Sequence, residues 1–411
     1  MKSHIYLAIL TVLVASLYRP VVHELTVLGV FRSATGPVSH QGAPIHTIAD
    51  TIHCEDLHYY PPAGQLFTAC EDSVLPRFQW FPPLVTFKGP ADTTGSIHVI
   101  DPKTMKSSRL TFENFSGPFI THGIDITEDP ERTGAVYIFA VNHLANPDYH
   151  GGDVPKARSQ VELFHHVLNS GTIRHVRSIR HPLVATPNDI YAVSPRSFYV
   201  TNDHLYREGY KRVVENLLPI AKWSTVIHVQ LDSLAASSAE SGVDATVAVE
   251  GLWNNNGLGH GASQEEVLLT SAIGGYLWRM RPHDNGTLSV VDEFALDSTI
   301  DNPSYYQDPY RTAEADASGY VLGGLLRAVD LDKTCTQPEA TDGVMVWYIR
   351  RQPGTAEWEK RLIFEDDGSR IRSASTALLV PKVPTVAGEK KAWLFVTGFL
   401  SERMIAVEVT L

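Results

Sequence analysis

Cysteine is scarce in this 411-residue chain, with Cys54, Cys70 and Cys335 the only three, and methionine nearly so, with five. No C-x-x-C pair occurs, which disfavours zinc and dithiol chemistry and leaves too few thiols for a disulfide scaffold. One bridge and one free thiol fit an oxidising compartment, with the pairing left open. There is no G-x-S-x-G elbow, no H-E-x-x-H and no G-x-x-x-x-G-K-[ST] loop, so the serine-hydrolase, zincin and P-loop classes lack their signatures. Asp330-Leu331-Asp332 begins like an EF-hand but lacks the later glycine and glutamate. Positive charge is also short: 34 basic against 46 acidic residues give a net charge of −12, which removes the electrostatic footing of a nucleic-acid partner. The apolar run at 5–18 (IYLAILTVLVASLY), after Lys2 and before Arg19-Pro20, is too short for a membrane helix and has the length of a secretory h-region. Residues 1–20 are therefore expected to be a signal peptide, or an N-terminal anchor if retained, because the cleavage signal around Val14-Ala15-Ser16 is weak. The protein is then secreted, or membrane-anchored in the secretory pathway. The sequons Asn114-Phe115-Ser116 and Asn285-Gly286-Thr287 agree with that compartment.

From residue 40 to 411 the texture is uniform and no low-complexity linker divides it. Short β-branched or aromatic runs such as Ser96-Ile97-His98-Val99-Ile100 and Val136-Tyr137-Ile138-Phe139 alternate with Gly, Pro, Asp and Asn turns, the pattern of an antiparallel all-β protein. Five times a polar pair leads into an apolar residue and a β-rich run follows after a turn. The openings are Glu55-Asp56-Leu57, His122-Gly123-Ile124, Asn188-Asp189-Ile190, Asn256-Gly257-Leu258 and Asp301-Asn302-Pro303, with a weaker sixth near Ser373-Ala374-Ser375-Thr376. The first four recur about every 67 residues and the fifth after about 45, which are periods of propeller-blade size. The expected fold is one six-bladed β-propeller over 40–411, with each polar pair at the mouth of a central channel. One segment breaks the pattern: Tyr210, Val213, Val214, Leu217 and Leu218 fall on one helix face before Pro219, predicting a short insertion helix near the channel mouth, or one covering a sheet edge.

Convergence of Glu55, Asp56, Asn188, Asp189, Asn256, Asp301 and Asn302 on one axis would gather hard oxygen donors with no thiol among them. Carboxylates brought together unpaired repel and partly neutralise one another. A divalent cation removes that repulsion, and Ca²⁺, which takes six to eight oxygens in flexible geometry, suits the set better than Mg²⁺ or zinc. His122 opens the second unit and His143 ends its next strand. If paired, one can deprotonate a water while the other orients it.

At this point the chain resembles the paraoxonase/arylesterase family. The resemblance rests on CEDL (54–57), HGI (122–124), VNH (141–143), VELFHH (161–166), SIRHPLVATPNDI (178–190), FYVTNDH (198–204), NNGL (255–258) and IDN (300–302), in the family's order and spacing. It implies a six-bladed propeller with two calcium ions: a catalytic one held by Glu55, Asn188, Asn256, Asp301 and Asn302, and a deeper structural one held by Asp56, Asp189 and the backbone carbonyl of Ile124. His122 and His143 match the proposed histidine dyad. The insertion helix has a counterpart at the active-site wall that is associated with membrane or lipoprotein surfaces, so peripheral membrane association is expected through the N-terminal segment or the helix at 209–218. Three departures bear on substrate range. The family's terminal disulfide clasp is not evident, Gly323-Gly324-Leu325-Leu326 stands where a channel histidine is expected, and Pro303 replaces an aliphatic residue.

The expected activity is calcium-dependent hydrolysis of small lactones and aryl esters, with His122 assisted by His143 as base, or Asp301 as base or nucleophile. Two rivals are a non-catalytic calcium propeller that binds a ligand or partner, which has no need of both histidines, and a strictosidine-synthase-like enzyme, which does without the full ligand set.

Overall fold

The continuous apolar runs find their explanation in strands that are covered on both faces. In the computed structural model, which describes residues 18–33, 39, 42–312, 315–352, 354–355, 357–386 and 389–411, six sheets of four or five strands are arranged as a six-bladed β-propeller, and a two-stranded hairpin joins Trp80–Phe81 to Thr86–Phe87. Sequence neighbours alternate between the two sides of a blade. Phe198 and Val200 pack with Phe139, Val141 and Leu163 of the preceding sheet, while Tyr199 packs with Leu258, Val267 and Leu269 of the following one. Each pair of adjacent blades thus encloses its own apolar cluster, the last with Leu379, Leu394 and Val407 against Val321, Val346 and Ile363. A strand with no solvent-facing side has no reason to alternate apolar with polar residues.

Each innermost strand begins at one of the repeated openings: Leu57–Tyr60, Thr121–Glu128, Pro187–Ser194, Asn255–His260, Pro303–Tyr306 and Ala374–Pro381. The sixth blade is completed from the other end of the chain, because Ile45–Ile48 pairs antiparallel with Met404–Thr410, Ile45 opposite Val407. This closure covers what would otherwise be an open sheet edge. Gly123 and Gly257 show why two openings contain glycine. A Cβ on Gly123 would lie 2.5 Å from the Asn188 carbonyl and from Asp189 Oδ1, and one on Gly257 would lie 2.5 Å from the Asn302 Cα. Inner strands this close to the next blade's opening admit no side chain.

The helix Tyr210–Leu217 forms where predicted, but its apolar stripe faces outward. Tyr210, Val213 and Leu217 are 76%, 54% and 62% exposed, whereas Arg212 and Glu215 are buried. The polar face is the docked one: Arg212 donates to the Pro83 carbonyl (2.8 Å), Glu215 accepts from the Leu205 and Tyr206 N–H groups, and Trp253 Nε1 donates to the Glu215 carbonyl (2.9 Å).

The expected signal segment lies outside the described residues up to 17. Residues 18–27 form a helix not anticipated from the sequence, seated on the propeller through His23 Nε2 at 2.9 Å from the Gly274 carbonyl, a bond from Thr299 N–H to the Val27 carbonyl (3.2 Å) and the fully buried Val27. Among the described residues no helix is long and apolar enough to cross a membrane. Cys54 and Cys70, which bracket the first inner strand, are joined in a disulfide, and Cys335 is a free, buried thiol.

Candidate metal centre

Five of the predicted donors share one property. Glu55 Oε2, Asn188 Oδ1, Asn256 Oδ1, Asp301 Oδ1 and Asn302 Oδ1 are all buried and accept no hydrogen bond. Buried oxygens of this kind normally find a donor, and an orphan is costly. They stand at the starts of four inner strands, and Asn188, Asn256 and Asp301 line a cavity of about 690 Å³ at the channel mouth. Asn302 is oriented by its amide nitrogen, which donates to Glu55 Oε1 (2.9 Å) and Thr376 Oγ1 (3.2 Å). Burial, then Asp301 and Asp56, push Glu55 well above the ordinary carboxylate range, and burial followed by Asp56 does the same to Asp301. Two carboxylates and three amide oxygens, whose charge the buried Arg77 offsets only in part, fit one hard divalent ion of the Ca²⁺ type. Among the described residues no group of three or more His, Cys, Asp or Glu side chains forms a metal site, as expected where three of five donors are asparagines.

The other expected ligands are differently placed. Asp56 Oδ1 accepts from Leu57 N–H (2.7 Å) and Thr376 O–H (3.0 Å), and Oδ2 from Ile124 N–H (3.0 Å) and His58 Nε2 (2.9 Å). Asp189 accepts from Ile190 N–H and Leu258 N–H, both at 2.7 Å. Burial pulls Asp56 up, yet His58 and these hydrogen bonds hold it below its usual value. Burial opposes charge on His58, and Asp56 with Asp125 overcome it, raising the imidazole to about 9. These donors separate two phenotypes. Asp189→Ala orphans two buried N–H groups at about 1–3 kcal/mol each, so it should give little soluble protein. Asn256→Ala orphans none of these and should fold but lose turnover. Melting curves and lactone assays on the two variants check this, and exchanged phenotypes would refute the assignment.

The histidines meet as expected. His143 Nε2 and His122 Nδ1 are 3.1 Å apart, His122 Nε2 is 4.0 Å from Glu55 Oε1, and His143 Nδ1 is 2.8 Å from Ser159 Oγ. A β-bulge between Ala140 and Asn142 breaks the register just before His143. Arg207 also donates to Ser159 Oγ (3.1 Å). If Ser159 accepts from both Arg207 and His143, the proton order leaves His122 Nε2 bare. Burial and the nearby Arg77 pull His122 down to about 3, and burial with His122 keeps His143 well below its usual value. Both rings are therefore neutral at physiological pH.

Several neighbours were not singled out from the sequence. Phe81, on the small hairpin, meets both rings edge-on at 5.2 and 5.9 Å, and Arg77 lies over its ring at 4.1 Å while forming an ion pair with Glu71 at 3.0 Å. Asp203 lines the cavity beside His122. The available signals were a charged pair, Glu71 and Arg77, in an apolar tract, and the i, i+2 spacing that sets Asp56 and His58 on one strand face. Gly324 follows the same packing logic as the channel glycines: a Cβ would lie 1.8 Å from the Thr299 carbonyl, so no histidine can stand there.

Comparison with known proteins gives a consistent set of relatives. A profile of the family described as Arylesterase matches residues 70–311, more than half of the chain. The Gallus gallus protein named serum paraoxonase/arylesterase 2 is 29% identical over 221 residues, covering 53% of this chain and 55% of its own. The Mus musculus serum paraoxonase/arylesterase 1 is 30% identical over 186 residues, 45% of each. The chain thus spans about half the length of the curated relatives it matches. Of solved structures, the Pseudomonas aeruginosa periplasmic gluconolactonase is similar at 12% identity and a TM-score of 0.39, covering 86% of this chain and 83% of that one.

Proposed function

The chain belongs to the arylesterase family, and from that membership we propose that it is a calcium-dependent hydrolase of lactones and aryl esters. The observation that carries the proposal is the set of five orphan oxygens beside the His122–His143 pair in one cavity. Ca²⁺ held by Glu55, Asn188, Asn256, Asp301 and Asn302 would supply an electrophile for the ester carbonyl and for the negative charge that grows on its oxygen. His122 takes the proton of the attacking water at Nε2, His143 fixes its tautomer through Nδ1, and Ser159 with Arg207 fixes that of His143. Phe81 packs against both rings and excludes bulk water from them. The departing alkoxide or phenolate oxygen accepts the proton returned by the same pair and becomes an alcohol or phenol. A second reading has its own support: an imidazole near 3 is a weak base, which favours Asp301, beside the same cation, as base or nucleophile. A panel of lactones and aryl esters assayed with and without Ca²⁺ tests the proposal, and no metal-dependent turnover of any of them would end it.

The relatives' serum origin and the exposed positions of both sequons, Asn114 and Asn285, support a secreted glycoprotein. The outward stripe of the helix Tyr210–Leu217, extended by Ile220 at 85% exposure, supports peripheral membrane docking at the channel mouth. Burying a side chain of this kind is worth about 1.5–3 kcal/mol, so Leu217→Asp with Ile220→Asp should lower sedimentation with phosphatidylcholine vesicles at least tenfold. Unchanged binding would remove the helix as the docking element.

A further inference from the structure

We propose that His58 takes the place of the deeper of the two ions implied by the family resemblance, so that this chain holds a single Ca²⁺, at the channel mouth. The inference rests on the reading of the five orphan oxygens as a Ca²⁺ site, and concerns the three ligands expected below it.

The two carboxylates among them are engaged elsewhere. A carboxylate offers about four lone-pair sites, and Asp56 uses all of them on Leu57, Thr376, Ile124 and His58. Both Asp189 oxygens are taken by backbone N–H groups. The remaining ligand, the carbonyl of Ile124, belongs to the residue whose N–H donates to Asp56 Oδ2, the same oxygen that His58 Nε2 faces at 2.9 Å. An imidazole held on Asp56 at this point stands in the volume in which a cation needs oxygens at about 2.3–2.6 Å. Neither carboxylate has an orphan oxygen, whereas all five donors of the upper set do.

The ring is also locked from its far side. His58 Nδ1 is 3.4 Å from Asp125 Oδ1, and Asp125 Oδ2 accepts from Ala192 N–H (2.7 Å) and faces His260 Nε2 (2.7 Å). His260 in turn packs on Tyr191 with ring centroids 4.2 Å apart. The alternation Asp56, His58, Asp125, His260 crosses three blades, from the first to the fourth. It supplies between inner strands the cross-links that an ion would otherwise make. Asp125 directly follows the HGI string, so its carboxylate is built into the strand that carries the Ile124 ligand.

Equilibrium dialysis of the full chain against radioactive Ca²⁺ at millimolar concentration reads the stoichiometry without reference to activity. One ion per wild-type chain is expected, falling to none in the Asn256→Ala/Asp301→Asn double variant. His58→Ser, which frees Asp56, should bind two. Two ions in the wild type overturn the inference, as does a single ion that survives the double substitution, or a folded His58→Ser that stays at one. Should His58→Ser not fold, the first two counts decide. No ion at all in the wild type would instead sink the calcium reading on which the inference rests.

Discussion

Removal of Ca²⁺ by a chelator is expected to abolish lactone and aryl-ester turnover and to lower the melting temperature in the same titration. The coupling follows from the channel mouth, where Glu55 and Asp301 are buried with Asn188, Asn256 and Asn302 and keep raised proton affinities despite the nearby Arg77. Free Ca²⁺ at about a thousand times its dissociation constant stabilises the folded state by about 4 kcal/mol. With an unfolding entropy of about 2.1 cal/mol/K per residue, that is about 5 °C for a chain of this length. The carboxylates of the chelated protein should contribute to its pH response with the opposite sign to those of an ordinary acidic protein. Glu55, Asp189 and Asp301 have folded-state values raised above those of the unfolded chain. The folded form therefore retains protons that the unfolded form releases, and stability falls as pH rises from the unfolded value near ~4 through the folded ones. Asp56, held low, contributes in the other sense, and its contribution is lost only on acidification below the unfolded value. The buried neutral histidines His53, His98, His122 and His143 lower stability on acidification in both forms, so the carboxylates appear in the difference: acidifying from neutrality toward pH 5 should lower the melting temperature of the chelated protein less than that of the Ca²⁺-bound one. Full activity after exhaustive chelation, or the same pH slope in both forms, would contradict a cation at this site.

What the sequence made legible was periodic, and what it hid was local. The openings at 55, 122, 188, 256 and 301 could be aligned because each blade repeats the same demand, a polar pair where an inner strand meets the channel. The outward stripe of Tyr210, Val213 and Leu217 could not be oriented from its spacing, since periodicity fixes which residues share a face but not what that face meets. Arg212 and Glu215 reverse the usual sense because they bond the Pro83 carbonyl and the Leu205 and Tyr206 amides beneath them. His58 escaped notice for a related reason. One histidine among 18 gains meaning only when Asp125, from the next blade, arrives beside it with His260, from the fourth, on its other oxygen. The Cys54–Cys70 bridge was equally beyond reach, because three cysteines allow three single pairings and only the strand register selects one.

Replacing His122 by glutamine should depress the hydrolysis of lactones with poor alkoxide leaving groups by about 10² to 10⁴, the range for loss of a general base. The lower part of that range is expected, because a base held near 3 by burial and Arg77 has little proton affinity to contribute, and a bound cation would reduce it further. The same weakness fixes the pH profile. A histidine base with its ordinary proton affinity would give an acid limb near ~6.5. With His122 neutral across the working range, no limb from this residue should appear between pH 5 and 8. Activated aryl esters, whose phenolate leaves readily, should be less affected by the substitution, since their hydrolysis depends more on carbonyl polarisation than on water activation. Asp301→Asn should impair both substrate types, as it removes a charged donor from the metal centre whichever group is the base. Calcium content, measured on each variant, separates loss of the ion from loss of the base. A calcium-replete His122→Gln protein with a near-normal rate on every lactone would eliminate the dyad and leave Asp301 as the base. A limb near 6.5 that disappears with the histidine would instead mean that substrate or ion restores the proton affinity which burial and Arg77 take away.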